Sequence, residues 1–140
     1  MSDPGDASPE SSGARPADQS WFRLAEIRGC AVVTAGGEID VHTSPGLVDA
    51  LRAAGQTSRR IVLDLAEVTF LDSTGLTAMV GTLNRTRSRG GAMSLVGPTG
   101  VVGRVLQITE LDQVFAIHDT VDDAVEAMDA TSASGSSPQP

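Results

Sequence analysis

The stretch Ile61-Val62-Leu63-Asp64-Leu65, followed by Phe70-Leu71-Asp72-Ser73-Thr74-Gly75-Leu76, decides how this chain is read. The first five residues hardly alternate, Asp64 apart, which is the pattern of a strand covered on both faces in the middle of a sheet. From Thr74 to about Arg89, the residues Leu76, Met79, Val80 and Leu83 recur at helical spacing with polar residues opposite them. A strand that runs straight into a helix puts the joining residues at the carboxyl edge of a sheet. In open α/β folds that edge is where ligands and modifications collect. Asp72, Ser73 and Thr74 are all good N-cap residues, and one of them should satisfy the free N–H groups of the first turn. Gly75 removes side-chain bulk at the helix start, which would let another molecule approach the backbone.

Ser73 has two readings. One is a plain helix cap. The other is a phosphorylation site, because a helix N-terminus receives an anion without melting. A phosphate there adds a charge of about −1.5 to −2, which would act on a partner rather than on the fold.

Downstream, Arg85, Arg87 and Arg89 fall in the last turns of this helix and complement its dipole, and Gly90-Gly91 stops it. Met93 to Val96 reads as the next strand. Pro98-Thr99 opens a third helix carrying Val101, Val102, Val105 and Leu106, and Val114 to Ile117 is the last strand. Thr120 caps a final helix whose inner face is Val121, Ala124, Val125 and Met128. Upstream, Ser44 as N-cap with Pro45 at the first helical position starts a first helix, with Leu47, Ala50, Leu51 and Ala54 inside and an end near Gly55. Trp21 to Arg28 and Cys30 to Ala35 form a hairpin around Gly29, and Gly36-Gly37 closes its second strand. Residues 1–19 and 131–140, rich in Ser, Pro, Gly and Ala, are expected to be disordered tails around a folded part from Ser20 to Ala130.

At 140 residues the chain is expected to be a single domain with a real core, built from aliphatic residues because only three Phe, one Trp and no Tyr are present. The net charge of −8 argues against a nucleic-acid binder, and against an RNA-binding role for the three arginines of the second helix. The single cysteine, Cys30, lies in an apolar run and reads as a small core residue. His42 and His118 have no second ligand at metal-binding spacing, so no metal and no cofactor is expected. No signal peptide and no membrane-spanning run is seen, which makes a cytoplasmic location and no membrane partner the expectation.

The order β-β-α-β-α-β-α-β-α, with Gly37-Glu38-Ile39-Asp40 before the first helix and Asp72-Ser73-Thr74-Gly75-Leu76 before the second, resembles the STAS domain. More narrowly it is similar to bacterial anti-sigma factor antagonists. The resemblance implies an α/β fold, a STAS-type mixed sheet with about four helices mostly packed on one face. It implies phosphorylation of Ser73 by a cognate anti-sigma factor, a Ser/Thr kinase of the histidine-kinase-like ATPase fold. In that family the unphosphorylated antagonist binds the kinase and frees a sigma factor, and a PP2C-type phosphatase restores it. Asp40, Asp72, Thr74 and Gly75 are then the expected partner-binding residues, and a monomer is the expected state. For Asp40 the plain alternative is a turn residue that shapes the approach to the first helix. Family members commonly carry Gly where this chain has Glu110.

Two other classes compete. A non-switching STAS scaffold, in a stress-sensing or transport complex, would more often be fused to a sensor domain. An enzyme is weakly supported: there is no phosphate-binding Gly-rich loop and no lysine in the chain, although His42 near Ser73 in space would revive it.

Overall fold

The computed structural model describes residues 20–135. Five strands form one mixed sheet in the order β1-β2-β3-β4-β5, made of β1 (Trp21–Ile27), β2 (Cys30–Ile39), β3 (Arg60–Leu71), β4 (Ala92–Val96) and β5 (Ala116–His118). Only β1 and β2 are antiparallel; the other pairs are parallel. The helices are α1 (Ser44–Thr57), α2 (Ser73–Ser88), α3 (Gly100–Ile108) and α4 (Val121–Gly135).

The connectivity explains the layers. From β2 to β5 each strand is added on the same side of the one before it. Crossovers of one hand, stepping in one direction, put their helices on one face of the sheet. Accordingly Leu47 and Leu51 of α1, Met79 and Leu83 of α2, and Val102 and Leu106 of α3 share one core with Ala31, Val33, Ile61, Leu63 and Leu95. Among the described residues the other sheet face is covered by α4. Its Ala124, Val125 and Met128 meet Cys30, Val32, Val62 and Val96. Ile61, Val62, Leu63 and Leu65 are fully buried, so β3 is the central, doubly covered strand its composition announced.

Several boundaries differ from the sequence expectation, each for a local reason. Gly36-Gly37 does not close β2, which continues to Ile39 through two register irregularities beside β3. Gly36 is needed in mid-strand because the Trp21 ring lies where its Cβ would stand. The Arg23 guanidinium sits over the same ring at 4.7 Å. The twelve-residue β3 runs on to Leu71, paired with Ile39. Thr43, not Ser44, is the N-cap of α1, because the Asp40 carbonyl already takes the Ser44 N–H at 2.8 Å. This helix passes Gly55, whose open side accommodates the Arg89 guanidinium, and ends at Thr57.

The last strand starts at Ala116 rather than Val114, since Val114 N–H donates to the Leu111 carbonyl at 3.0 Å and closes a short 3-10 turn, and Phe115 N–H donates to the same carbonyl at 3.0 Å. Thr120 caps α4 as expected: its hydroxyl oxygen accepts from Asp123 N–H at 3.0 Å. The α4 backbone continues to Gly135, past the expected boundary at Ala130, because Ala and Ser do not break a helix while Gly does. The expected N-terminal tail, 1–19, and residues 136–140 lie outside the described residues.

Among the described residues, two non-glycine residues take a left-handed backbone. Arg28, at φ 50, and Gly29, at φ 82, are the two-residue loop of the β1–β2 hairpin, where the favoured turn needs positive φ twice. Glu110, at φ 63, occupies the position where the sequence resemblance implies Gly. The geometry is therefore kept without the residue that adopts it most cheaply.

Candidate functional site

The site forms at the carboxyl edge, where β2 and β3 end side by side. Ile39 pairs with Leu71, so Asp40 and Asp72 are the next residues on adjacent parallel strands. The Asp72 N–H donates to the Ile39 carbonyl at 3.1 Å and carries the ladder one step into the loop.

Of the three candidate caps, Asp72 does the capping. Its Oδ1 accepts from Thr74 N–H at 2.9 Å and Gly75 N–H at 3.4 Å. The Thr74 hydroxyl donates to the same oxygen, which leaves Thr74 half-buried and engaged. Ser73 is the first residue inside α2 and is exposed. Its hydroxyl has no hydrogen-bond partner among the described residues. A residue at this position points outward over the first turn, and the capping that would occupy its oxygen is supplied by its neighbour.

Asp40 is a turn residue by geometry. Its Oδ1 accepts from His42 N–H at 2.9 Å and Thr43 N–H at 3.1 Å. Thr43 locks the turn from the other side: its hydroxyl donates to the Glu38 carbonyl at 2.8 Å and accepts from Asp40 N–H at 2.9 Å. Partial desolvation pushes the Asp40 pKa up, but the bonds from Thr43 and His42 outweigh it and hold the carboxyl below its ordinary value of 3.8. Both carboxylates are thus pinned at the edge beside Ser73 as hydrogen-bond acceptors.

Gly75 is placed differently from the expectation. It is buried, and a Cβ there would run into Leu71 and lie 2.9 Å from the Ile39 side chain. The missing side chain lets α2 settle onto the ends of β2 and β3, so the clearance serves the interior rather than an incoming molecule. His42 is exposed in the β2–α1 loop, and no hydrogen bond joins it to Ser73 among the described residues.

Three residues of the site were not singled out from the sequence. Val41 is 60% exposed and Phe70 41%, two large apolar residues that stand close in the chain to Asp40 and Asp72. Phe70 lies outside the apolar alternation of β3, which was the available signal. Thr43, three residues after Asp40, was legible as the partner of an Asx-type turn.

Among the described residues no group of three or more His, Cys, Asp or Glu side chains is placed to hold a metal ion. None of the described helices is long and apolar enough to cross a membrane.

The STAS domain model matches residues 22–124, and the chain belongs to the STAS domain family. It is 34% identical over 88 residues to the anti-sigma-B factor antagonist of Staphylococcus aureus, an alignment covering 62% of this chain and 82% of that protein. The crystal structure of an anti-sigma factor antagonist from Mycobacterium paratuberculosis superposes with a TM-score of 0.74 at 30% identity, covering 82% of this chain and 98% of the other. The fold alone is also shared with the murine Slc26a9 anion transporter, at a TM-score of 0.62 and 22% identity, over 76% of this chain and 18% of that one.

Proposed function

We propose that this chain is an anti-sigma factor antagonist switched by phosphorylation of Ser73. The observation that carries the reading is the division of labour at the start of α2. Asp72 and Thr74 build the cap, and the hydroxyl between them is exposed and unengaged. Sequence likeness to proteins named as such antagonists supports the class.

In this reading the unphosphorylated protein binds a cognate anti-sigma factor in the cytoplasm and a sigma factor is released. The partner is a Ser/Thr kinase of the histidine-kinase-like ATPase fold, and a PP2C-type phosphatase reverses its action. Val41 and Phe70 supply apolar contact around Ser73, and Asp40 and Asp72 set the charge. A phosphate of charge about −1.5 to −2 would join two carboxylates already on this edge. The helix N-terminus tolerates that anion, so the fold persists. Burying it against a surface matched to a neutral hydroxyl costs about 2–5 kcal/mol, or roughly 30- to 1,000-fold in affinity and more.

The test is capture from lysate of the source organism with Ser73→Ala and Ser73→Glu baits side by side. Retention of a small histidine-kinase-like ATPase by the Ala bait and its loss from the Glu bait is the expected result. Equal retention by both baits would sink the switch and favour a STAS scaffold. Failure of purified Ser73→Ala to bind the kinase that wild type binds would also overturn the reading.

A further inference from the structure

At the amino edge of the sheet the charge is inverted. The chain has 18 acidic and 10 basic residues, yet Arg52, Arg59, Arg60, Arg85, Arg87 and Arg89 cluster where β3 begins and α1 and α2 end. A cleft of about 190 Å³ between the two helices is lined by Arg52, Arg85 and Arg89, with Leu51, Ile61 and Thr86 among its other walls. Arg85 is steadied by Nη2 donating to Thr82 Oγ1 at 3.2 Å, and Arg89 by Nη2 donating to the Gly55 carbonyl at 3.0 Å. Both anchors are neutral. None of the three guanidiniums is ion-paired with an Asp or Glu among the described residues, whereas Arg28 and Arg60 both reach Asp129.

The helix dipole accounts for part of this. Arg85 and Arg87 lie in the last turn of α2. The last turn of α1 holds no basic residue, so Arg52 stands outside the range over which the dipole acts. Three cations around one cleft repel one another unless an anion joins them.

We propose that this cleft binds a small phosphate-bearing anion through Arg52, Arg85 and Arg89. Planar guanidinium forks match phosphate oxygens two at a time, and several converging forks favour a linked diphosphate over a single carboxylate. The volume is below the roughly 300–1,000 Å³ typical of sites that engulf a drug-sized ligand. The site therefore takes the anionic group, and any attached nucleoside stays outside. Ser73 is at the other end of α2, about 18 Å from Arg85 and about 24 Å from Arg89 at about 1.5 Å per residue, so the site works or fails independently of the switch.

The experiment titrates inorganic pyrophosphate into the full chain at constant ionic strength and follows backbone amide shifts. Saturable shifts confined to the carboxyl-terminal halves of α1 and α2 are expected. Arg52→Gln and Arg85→Gln should each weaken binding roughly tenfold or more, the size expected for a lost charge-assisted bond, with their spectra otherwise unchanged. Arg104→Gln, on α3, should leave affinity as it is. Equal affinity for ADP and pyrophosphate would assign the ligand to the anion itself, and tighter ADP binding to a nucleotide; both keep the site. Sulfate producing the same shifts with the same affinity would mean an adventitious ion only and overturn the proposal. So would the absence of saturation, or unchanged affinity in both cleft variants.

Discussion

The two edges of the sheet lie at opposite ends of α2 and are built from opposite charges. At the carboxyl edge, Asp40 and Asp72 are tied down by backbone N–H groups from the turns they sit in. At the amino edge the arginines rest on carbonyls and hydroxyls, and several lack a charged partner among the described residues. One helix dipole favours both arrangements, since its start attracts carboxylates and its end attracts guanidiniums. The difference is in rigidity. A carboxylate two or three bonds from the backbone it caps is held by the chain itself, while a guanidinium on a long flexible stem is not. The carboxyl edge is therefore preorganised, with one exposed hydroxyl set among fixed acceptors.

That contrast can be broken most forcefully at Ser73. Ser73→Glu should lower affinity for the kinase partner by roughly 30-fold or more, while Ser73→Ala keeps it, as measured by calorimetry with purified components. Because Asp72 is the cap, Ser73→Ala should alter folding stability by less than about 0.5 kcal/mol. A larger loss would return Ser73 to a structural role.

Gly75→Ala comes next. A methyl group pressed onto Leu71 and Ile39 should cost about 1–3 kcal/mol in urea unfolding, as overpacking does. If the variant is as stable as wild type, Gly75 is not the contact that seats α2.

The asymmetry in rigidity is sharpened by pairing Asp72→Ala with Arg87→Gln. Loss of the cap should cost about 0.5–2 kcal/mol. Loss of the exposed Arg87, which reaches the Val114 carbonyl at 3.2 Å, should cost no more than the roughly 0.3–1 kcal/mol of a charge–dipole contact. Equal costs would show that the two ends of α2 are held alike.

Smaller effects come from Glu110 and Asp40. Glu110→Gly relieves a left-handed penalty of about 1–2 kcal/mol but frees the unfolded chain by about 0.4–1 kcal/mol, so a gain near 1 kcal/mol is expected in thermal melts. A loss of stability would mean the Glu side chain makes a contact worth more than the strain. The Asp40 carboxyl has a folded pKa below its ordinary 3.8. Its contribution is thus complete above that value and disappears as pH falls through the lowered folded pKa. Asp40→Asn should lower stability above about pH 4 and flatten the acid limb, so that the variant and wild-type curves converge as pH falls. An unaltered acid limb would remove Asp40 from the account.

The elements carried by strong periodicity were legible: the buried run in β3, the apolar stripe of α2, the Thr120 cap. Their boundaries were not, where a distant residue decided them. Gly36-Gly37 looks like a strand end until Trp21 is seen lying on Gly36. Ser44-Pro45 looks like a cap until the Asp40 turn takes the Ser44 N–H. At the site, Ser73 and its neighbours were legible because capping is local chemistry. Gly75 was misplaced because only the packing of α2 on two strand ends tells whether a glycine is open or crowded.

By itself the sequence determined the class of fold, the strand-to-helix junction at Asp72-Ser73-Thr74 and the resemblance to the STAS family. Those rest on short-range patterns that survive without coordinates. Only the tertiary structure decided the strand register that makes Asp40 and Asp72 follow the paired residues Ile39 and Leu71, and that Val41 and Phe70 stand exposed. It alone brings Arg52 of α1 into one cleft with Arg85 and Arg89 of α2. Adjacency of residues more than thirty positions apart is set by strand register and by which face each helix covers. Both depend on long-range burial that no local pattern encodes.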